Sequence, residues 1–190
     1  MKKKAITVIL VTRNRPLQII DCVRSILKSS FQDYQILIAD QSTNNRTVEI
    51  IKSLHSSKIE IVRMKKKGKA KGLNILIKKS NSNILAFTDD DCIVSKNWLH
   101  QIIKTYNEFP HLAGIFGNVY PYKPKNHPTE ICPATFKTKK MQTHTFEKFH
   151  YYHVGLGNNM SIKKSILEKV GNFQEWLGPG AIATNGEESE

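Results

Sequence analysis

The chain has 190 residues, 39% hydrophobic and 24% charged, a balance that excludes a disordered chain and allows one sizeable core with an appendage. Lysine and arginine number 29 against 16 aspartates and glutamates, a formal charge of +13 that favours anionic partners such as nucleic acid, an anionic membrane face or phosphorylated small molecules. Cys22, Cys92 and Cys132 lie far apart without a Cys-x-x-Cys pair, which points to neither a zinc site nor a disulfide framework and favours a reducing compartment.

The N-terminus, MKKKAITVILVTRNR, has the outline of a signal peptide, but TRNRP stands where a small-residue cleavage site belongs. AITVILVT, residues 5–12, is therefore read as a first strand, near-continuously apolar and β-branched, as a strand buried on both faces is. A helix follows, with Leu17, Ile20, Val23 and Leu27 at helical spacing and Pro16 suited to its first turn. YQILIAD (34–40) is a second buried strand, and Val48, Ile51 and Leu54 mark the next helix. KIEIVRM (58–64) is a third strand, a basic loop KKKGKAKG (65–72) follows it, and Leu73, Leu76 and Ile77 suggest a further helix. A strand at ILAF (84–87), an amphipathic helix over 97–109 and a fifth strand over 112–120 complete the alternation. Strands alternating with helices at this spacing predict an α/β fold with a Rossmann-like, doubly wound, mostly parallel sheet. Residues 121–153, with prolines at 121, 124, 128 and 133, have no clear period and read as an irregular excursion. Strand-turn-helix texture resumes at HVGLGNNMSIKKSILEKVGNF, the end is loop-like, and the texture divides the chain into 1–120 and 121–190. No run approaches the roughly 18 apolar residues a spanning helix needs.

In an open parallel sheet, ligands bind beyond the carboxyl ends of the strands, where the strand order reverses. The unusual polar groups sit at those ends. Thr12, Arg13, Asn14 and Arg15 follow the first strand, Asp40 ends the second, and Asp89, Asp90 and Asp91 follow the fourth. If the first and fourth strands flank the reversal, the carboxylates face Arg13 and Arg15 across one crevice. No G-x-G-x-x-G or G-x-x-x-x-G-K-[ST] phosphate loop is present, so an anionic ligand needs another counter-charge. Two carboxylates separated by one residue can place oxygens on a hard divalent cation that also bridges a diphosphate. A helix cap with a solvated acidic turn accounts for the same spacing equally well. Cys92, beside the triplet, reads as a buried small residue, since a hard cation prefers oxygen.

TVILVTRNR, LIADQST, GKAKGLNILIKKSNSNILAFTDDDCIVSKNWL and GLGNNMSIKKSILEKVGNFQEWLGPG, taken together and in order, resemble the family-2 glycosyltransferases of the GT-A nucleotide-sugar-binding fold. The resemblance implies a nucleotide-sugar-binding region at 1–120 and an acceptor-side region at 121–190. It implies that Thr12, Arg13 and Arg15 line the nucleotide pocket and that Asp40 reads the base. Asp89 and Asp91 match the two acids of the DXD motif, Asp89 near the ribose and both on Mn²⁺ or Mg²⁺, with Asp90 at the variable position. Asn158 and Asn159 match a segment passing under the acceptor and donor sugars. Glu187 and Glu188 match an acidic pair whose second member is the catalytic base, with Glu standing where relatives usually carry Asp. That pair lies near the end of these 190 residues, where relatives continue into acceptor-side helices, so donor and metal binding with slow or absent transfer is expected.

The implied activity is an inverting, metal-dependent transfer of sugar from a nucleotide diphosphate donor, expected to be a UDP-sugar, to the hydroxyl of a saccharide or lipid-linked acceptor. Cell-surface polysaccharide or glycoconjugate synthesis is the expected setting. A cytoplasmic location with peripheral association at an anionic inner membrane face is expected. Two other readings stand beside it. A nucleotidyltransferase also uses strand-end acids and a metal, but normally shows a glycine-rich basic signature after the first strand, and TRNRP lacks the glycines. A non-catalytic module would keep only donor binding. A nucleic-acid partner is not expected, because the lysines are spread over several loops without interleaved aromatics.

Overall fold

The structure, a computed structural model, describes residues 3–122, 134–145 and 154–182. Its frame is a six-stranded sheet of order β3-β2-β1-β4-β6-β5. The strands are β1 (Ile6–Thr12), β2 (Tyr34–Asp40), β3 (Ile59–Arg63), β4 (Ile84–Phe87), β5 (Gly114–Phe116) and β6 (Met160–Lys163). The helices are α1 (Pro16–Leu27), α2 (Arg46–Lys52), α3 (Lys69–Lys79), α4 (Trp98–Glu108) and α5 (Lys164–Val170). β1 to β4 are parallel, and β6 runs antiparallel between β4 and β5.

Alternation along the strands explains why both faces are covered, since successive side chains point to opposite sides. Val8, Leu10, Ile36 and Ile38 meet Ile19, Val23 and Ile26 of α1 and Leu99 of α4 in one core. Ile9, Leu37, Ala39, Leu85 and Phe87 meet Leu73, Leu76 and Ile77 of α3 in the other. α3 lies close to the sheet because of Gly72, where an added Cβ would come within 2.8 Å of a Val11 methyl. No helix among the described residues is long and apolar enough to cross a membrane.

Several boundaries differ from the sequence expectations. Leu17 is 67% exposed, and Ile19 takes the buried position in its place. α3 begins at Lys69, four residues inside the expected basic loop, once Gly68 has turned the chain at φ 130°. β5 covers only Gly114–Phe116 of the expected 112–120, because β6, its ladder partner among the described residues, is itself four residues long. In the irregular region, Val119 and Phe136 form an isolated antiparallel bridge. The segment over 160–170 does not stand apart from the first 120 residues, since β6 completes their sheet.

Candidate functional site

The order β3-β2-β1-β4 reverses between β1 and β4, so the crevice lies at the carboxyl ends of those two strands. Thr12, the last residue of β1, is 2% exposed, and its Oγ1 donates to Asp90 Oδ2 at 2.6 Å. Arg15, in the turn before α1, donates from Nη1 to Asp90 Oδ1 and to Asp91 Oδ2, each at 3.1 Å. Asp90 is thus the centre of the cluster. It is 5% exposed, and burial raises its carboxyl above the usual range against the opposing pull of Thr12 and Arg15. The Arg15 guanidinium is correspondingly raised, chiefly by Asp90.

Its two neighbours face outward. The side chains of Asp89 and Asp91 are 37% and 52% exposed, and Lys69 at the start of α3 pairs with Asp89 Oδ1 at 3.2 Å. The triplet caps no helix, since α4 begins only at Trp98 with Asn97 in the cap position. Instead the Asp89 carbonyl accepts from the Cys92 N–H at 3.2 Å and from Cys22 Sγ at 3.4 Å, which pins the loop to α1. Burial pushes the Cys92 thiol up to about 11, so it stays protonated at neutral pH.

Asp40 adjoins this cluster across the β1–β2 register, where Thr12 lies opposite Asp40. It is fully buried. Oδ1 accepts the Ser42 N–H at 2.9 Å, an Asx turn, and Oδ2 accepts Arg63 Nη1 at 2.6 Å. Arg63 was not singled out from sequence. The signal was register, because Arg63 is the β3 partner of Asp40. Arg13 is exposed on the same loop as Arg15. Asn14, at φ 57°, accepts the Thr43 N–H at 2.9 Å and ties the loop after β1 to the loop after β2.

The basic loop is held by Gln41, whose amide donates to the Gly68 carbonyl at 2.7 Å and accepts the Gly68 N–H at 3.0 Å. The segment after α5 docks beside it. Asn74 pairs with both backbone groups of Phe173, at 2.8 and 3.1 Å, and the Lys69 N–H donates to the Pro179 carbonyl at 3.1 Å. Asn159 uses its side chain structurally, accepting Trp98 Nε1 at 2.8 Å and donating to the Asn118 carbonyl at 2.9 Å. The buried side-chain oxygen of Asn158 has no hydrogen-bond partner among the described residues. Its neighbour Gly157 lines a one-water cavity of about 10 Å³ together with Thr88, Asp89 and Lys69, which brings this turn beside the acidic loop. A larger cleft of about 290 Å³ lies along β5, lined by Ile115, Phe116, Phe136, Met141 and His144 among others. Glu187 and Glu188 lie outside the described residues.

The glycosyl transferase family 2 profile matches residues 7–171, which span every element of the sheet and the whole acidic cluster. The chain belongs to this family. Glycosyltransferase AglE of Haloferax volcanii is 24% identical over 181 residues, covering 92% of this chain and 58% of that protein. Glycosyltransferase GlyG of Streptococcus pneumoniae is 23% identical over 120 residues, covering 62% of this chain and 40% of its own length. The chain therefore spans about half the length of the relatives it matches. Among solved structures, S. aureus TarS 1–349 superimposes with a TM-score of 0.76 at 17% identity, over 98% of this chain and 53% of that one. The mannosyltransferase PcManGT from Pyrobaculum calidifontis, solved with GDP-Man and Mn²⁺, gives 0.68 at 16% identity over 95% and 50%. These likenesses establish the GT-A fold for the family-2 chain.

A divalent cation is implied by the family, and the donor set suits one of a particular kind. Among the described residues no three His, Cys, Asp or Glu side chains converge to form a complete cage. Asp89 and Asp91 offer two partly exposed carboxylates. That is the incomplete oxygen set that Mg²⁺-type ions accept, where one or two carboxylates are supplemented by substrate phosphates and water. The residues fit.

Proposed function

We propose that this chain is the donor-binding part of a metal-dependent, inverting glycosyltransferase that moves a sugar from a nucleotide diphosphate, a UDP-sugar by preference, to an acceptor hydroxyl. The observation that carries the reading is the Thr12–Asp90–Arg15–Asp91 cluster at the point where strand order reverses. Charge supports it further. Among the described residues the strand-end acids Asp40, Asp89, Asp90 and Asp91 already hold Arg15, Arg63 and Lys69 in ion pairs. The exposed acids nearest a diphosphate would repel it unless a further cation stood between them. Mn²⁺ or Mg²⁺ bound by Asp89 and Asp91 would supply the charge neutralisation that a leaving diphosphate needs.

The chain's own residues have separate tasks in this reading. Thr12 and Asp40 would form the wall of the nucleotide pocket, with Asp40 the residue that reads the base and Arg63 holding its carboxylate. Arg15 and Arg13 face the phosphates, and Asp89 lies near the ribose. Asn158, whose buried side-chain oxygen has no partner among the described residues, is our candidate for meeting a sugar hydroxyl, while Asn159 holds the turn that carries it. Glu188, flanked by Glu187, takes the proton from the attacking acceptor hydroxyl on the face opposite the leaving group. The cleft along β5 suits a saccharide or lipid-linked acceptor, in polysaccharide or glycoconjugate assembly at the cytoplasmic membrane face. The neighbours supply the donor precedent: TarS has been solved with UDP and with UDP-GlcNAc, and PcManGT with GDP-Man.

A thermal-shift panel of UDP, GDP, CDP and ADP with Mn²⁺ or with EDTA tests the proposal. A ligand at about 100 times its dissociation constant that binds only the folded chain adds about 2.7 kcal/mol. UDP with Mn²⁺ should raise the melting temperature by several degrees, and UDP with EDTA should raise it little. Equal shifts in both would remove the metal role, and no shift with any nucleotide would remove the donor site.

A further inference from the structure

Arg15 stands where a cation is needed. Its Nη1 lies 3.1 Å from Asp90 Oδ1 and 3.1 Å from Asp91 Oδ2, so one nitrogen is shared between two carboxylates. The two acids hold it differently. Asp90 is 5% exposed and also accepts Thr12 Oγ1 at 2.6 Å, which fixes its carboxylate to the ends of both strands. Asp91 is half-exposed, one residue further out, where solvent and ions reach it.

We infer that Arg15 is an exchangeable placeholder on Asp91: a divalent cation displaces it there, and Asp90 retains the released guanidinium at the pocket wall to receive the diphosphate. This rests on the reading of Asp91 as a metal ligand. A half-exposed ion pair is weak and is easily displaced by a hard divalent cation that takes carboxylate oxygen directly. The guanidinium keeps its bond to buried Asp90 throughout, so it stays within the crevice with donors to spare. Its planar fork matches a phosphate in two parallel hydrogen bonds. Two consequences follow from the exchange. The metal alone binds below its intrinsic strength, because it must first displace Arg15. The diphosphate then accepts the displaced group, so metal and nucleotide each strengthen the other by the same factor.

The test is Mn²⁺ titration followed by electron paramagnetic resonance of the free ion, with and without UDP, on the whole chain and its variants. Arg15→Gln should bind Mn²⁺ about fivefold more tightly without nucleotide, the factor a partly exposed ion pair is worth. The enhancement of Mn²⁺ affinity by UDP should shrink in the same variant. Arg15→Lys keeps the charge without the fork and should move both quantities in the same direction by less, which carries the test if Arg15→Gln does not fold. Arg24→Gln, an equal charge change on the exposed side of α1 next to Asp21, should match the wild type. Wild-type Mn²⁺ affinity in both Arg15 variants, or an equal gain in Arg24→Gln, overturns the placeholder. Absence of Mn²⁺ binding by the wild type with or without UDP removes the metal reading itself, and the placeholder with it.

Discussion

Asp90 shows how burial changes what a residue is for. By the family resemblance it is the variable member between two acids, yet it is the buried one, held by both Thr12 and Arg15. Its carboxyl is raised by burial, so the fold gains little from its negative charge, and the charge serves to keep Arg15 in place. Asp91 has the opposite character. Its side chain is 52% exposed and its ion pair with Arg15 is correspondingly weak. Asp91→Asn should therefore shift stability by no more than about 1 kcal/mol, while abolishing the Mn²⁺-dependent part of the nucleotide shift. Melting curves of the variant with UDP, Mn²⁺ and EDTA decide this. A collapse of the fold in both Asp91→Asn and Asp89→Asn would mean that the triplet is a structural turn.

At the scale of elements, β1, β2 and β4 were legible because their apolar runs are buried on both faces, which a local pattern records directly. β5 was overrun, since an edge strand is ended by its partner's length and not by its own sequence. The start of α3 was set by Gly68 and by Gln41, whose contact with Gly68 spans 27 residues. The candidate site divides in the same way. Which strand ends carry acids was legible; that Arg63 sits on Asp40 and Lys69 on Asp89 depends on register and on long-range approach. Asn74 is a second such case, reaching 99 residues ahead to clamp both backbone groups of Phe173. Asn74→Ala leaves that donor and acceptor unpaired at a part-buried position, a loss of about 1–3 kcal/mol. Denaturant unfolding should register it, and hydrogen exchange should localise the loosening to residues 173–180. An unchanged exchange pattern there would mean that the Pro179 and Phe87 contacts hold the segment without Asn74.

For the whole molecule, the decisive feature is that residues 160–163 form an interior strand, next to the edge, of a sheet begun by residue 6. No local pattern could have placed β6 between β4 and β5, because strand order is set by which sheet edges pair across distant parts of the chain. β6 pairs Met160 with Phe87 on one side and with Phe116 on the other. Met160 and Leu167 of α5 join Leu85 and Phe87 in the core on the α3 side. A fragment ending at residue 122 keeps the whole apparent nucleotide-binding region but loses β6, α5 and the segment that docks on α3. β4 becomes an edge, β5 has no ladder partner, and the cover over Phe87 and Leu85 is lost. Each large apolar side chain withdrawn from burial costs about 1.5–3 kcal/mol, against a total stability of about 5–15 kcal/mol for a domain. Losing the burial of several such groups together consumes most of that margin. The 1–122 fragment should therefore melt without a cooperative transition, bind a hydrophobic dye and give no nucleotide shift, since the acidic loop starts directly after Phe87. Circular dichroism melts and dye fluorescence of the fragment beside the 190-residue chain measure this. A cooperative melt within a few degrees of the full chain, with UDP and Mn²⁺ still stabilising, would instead show that the first 122 residues are a folding unit on which β6 is merely laid.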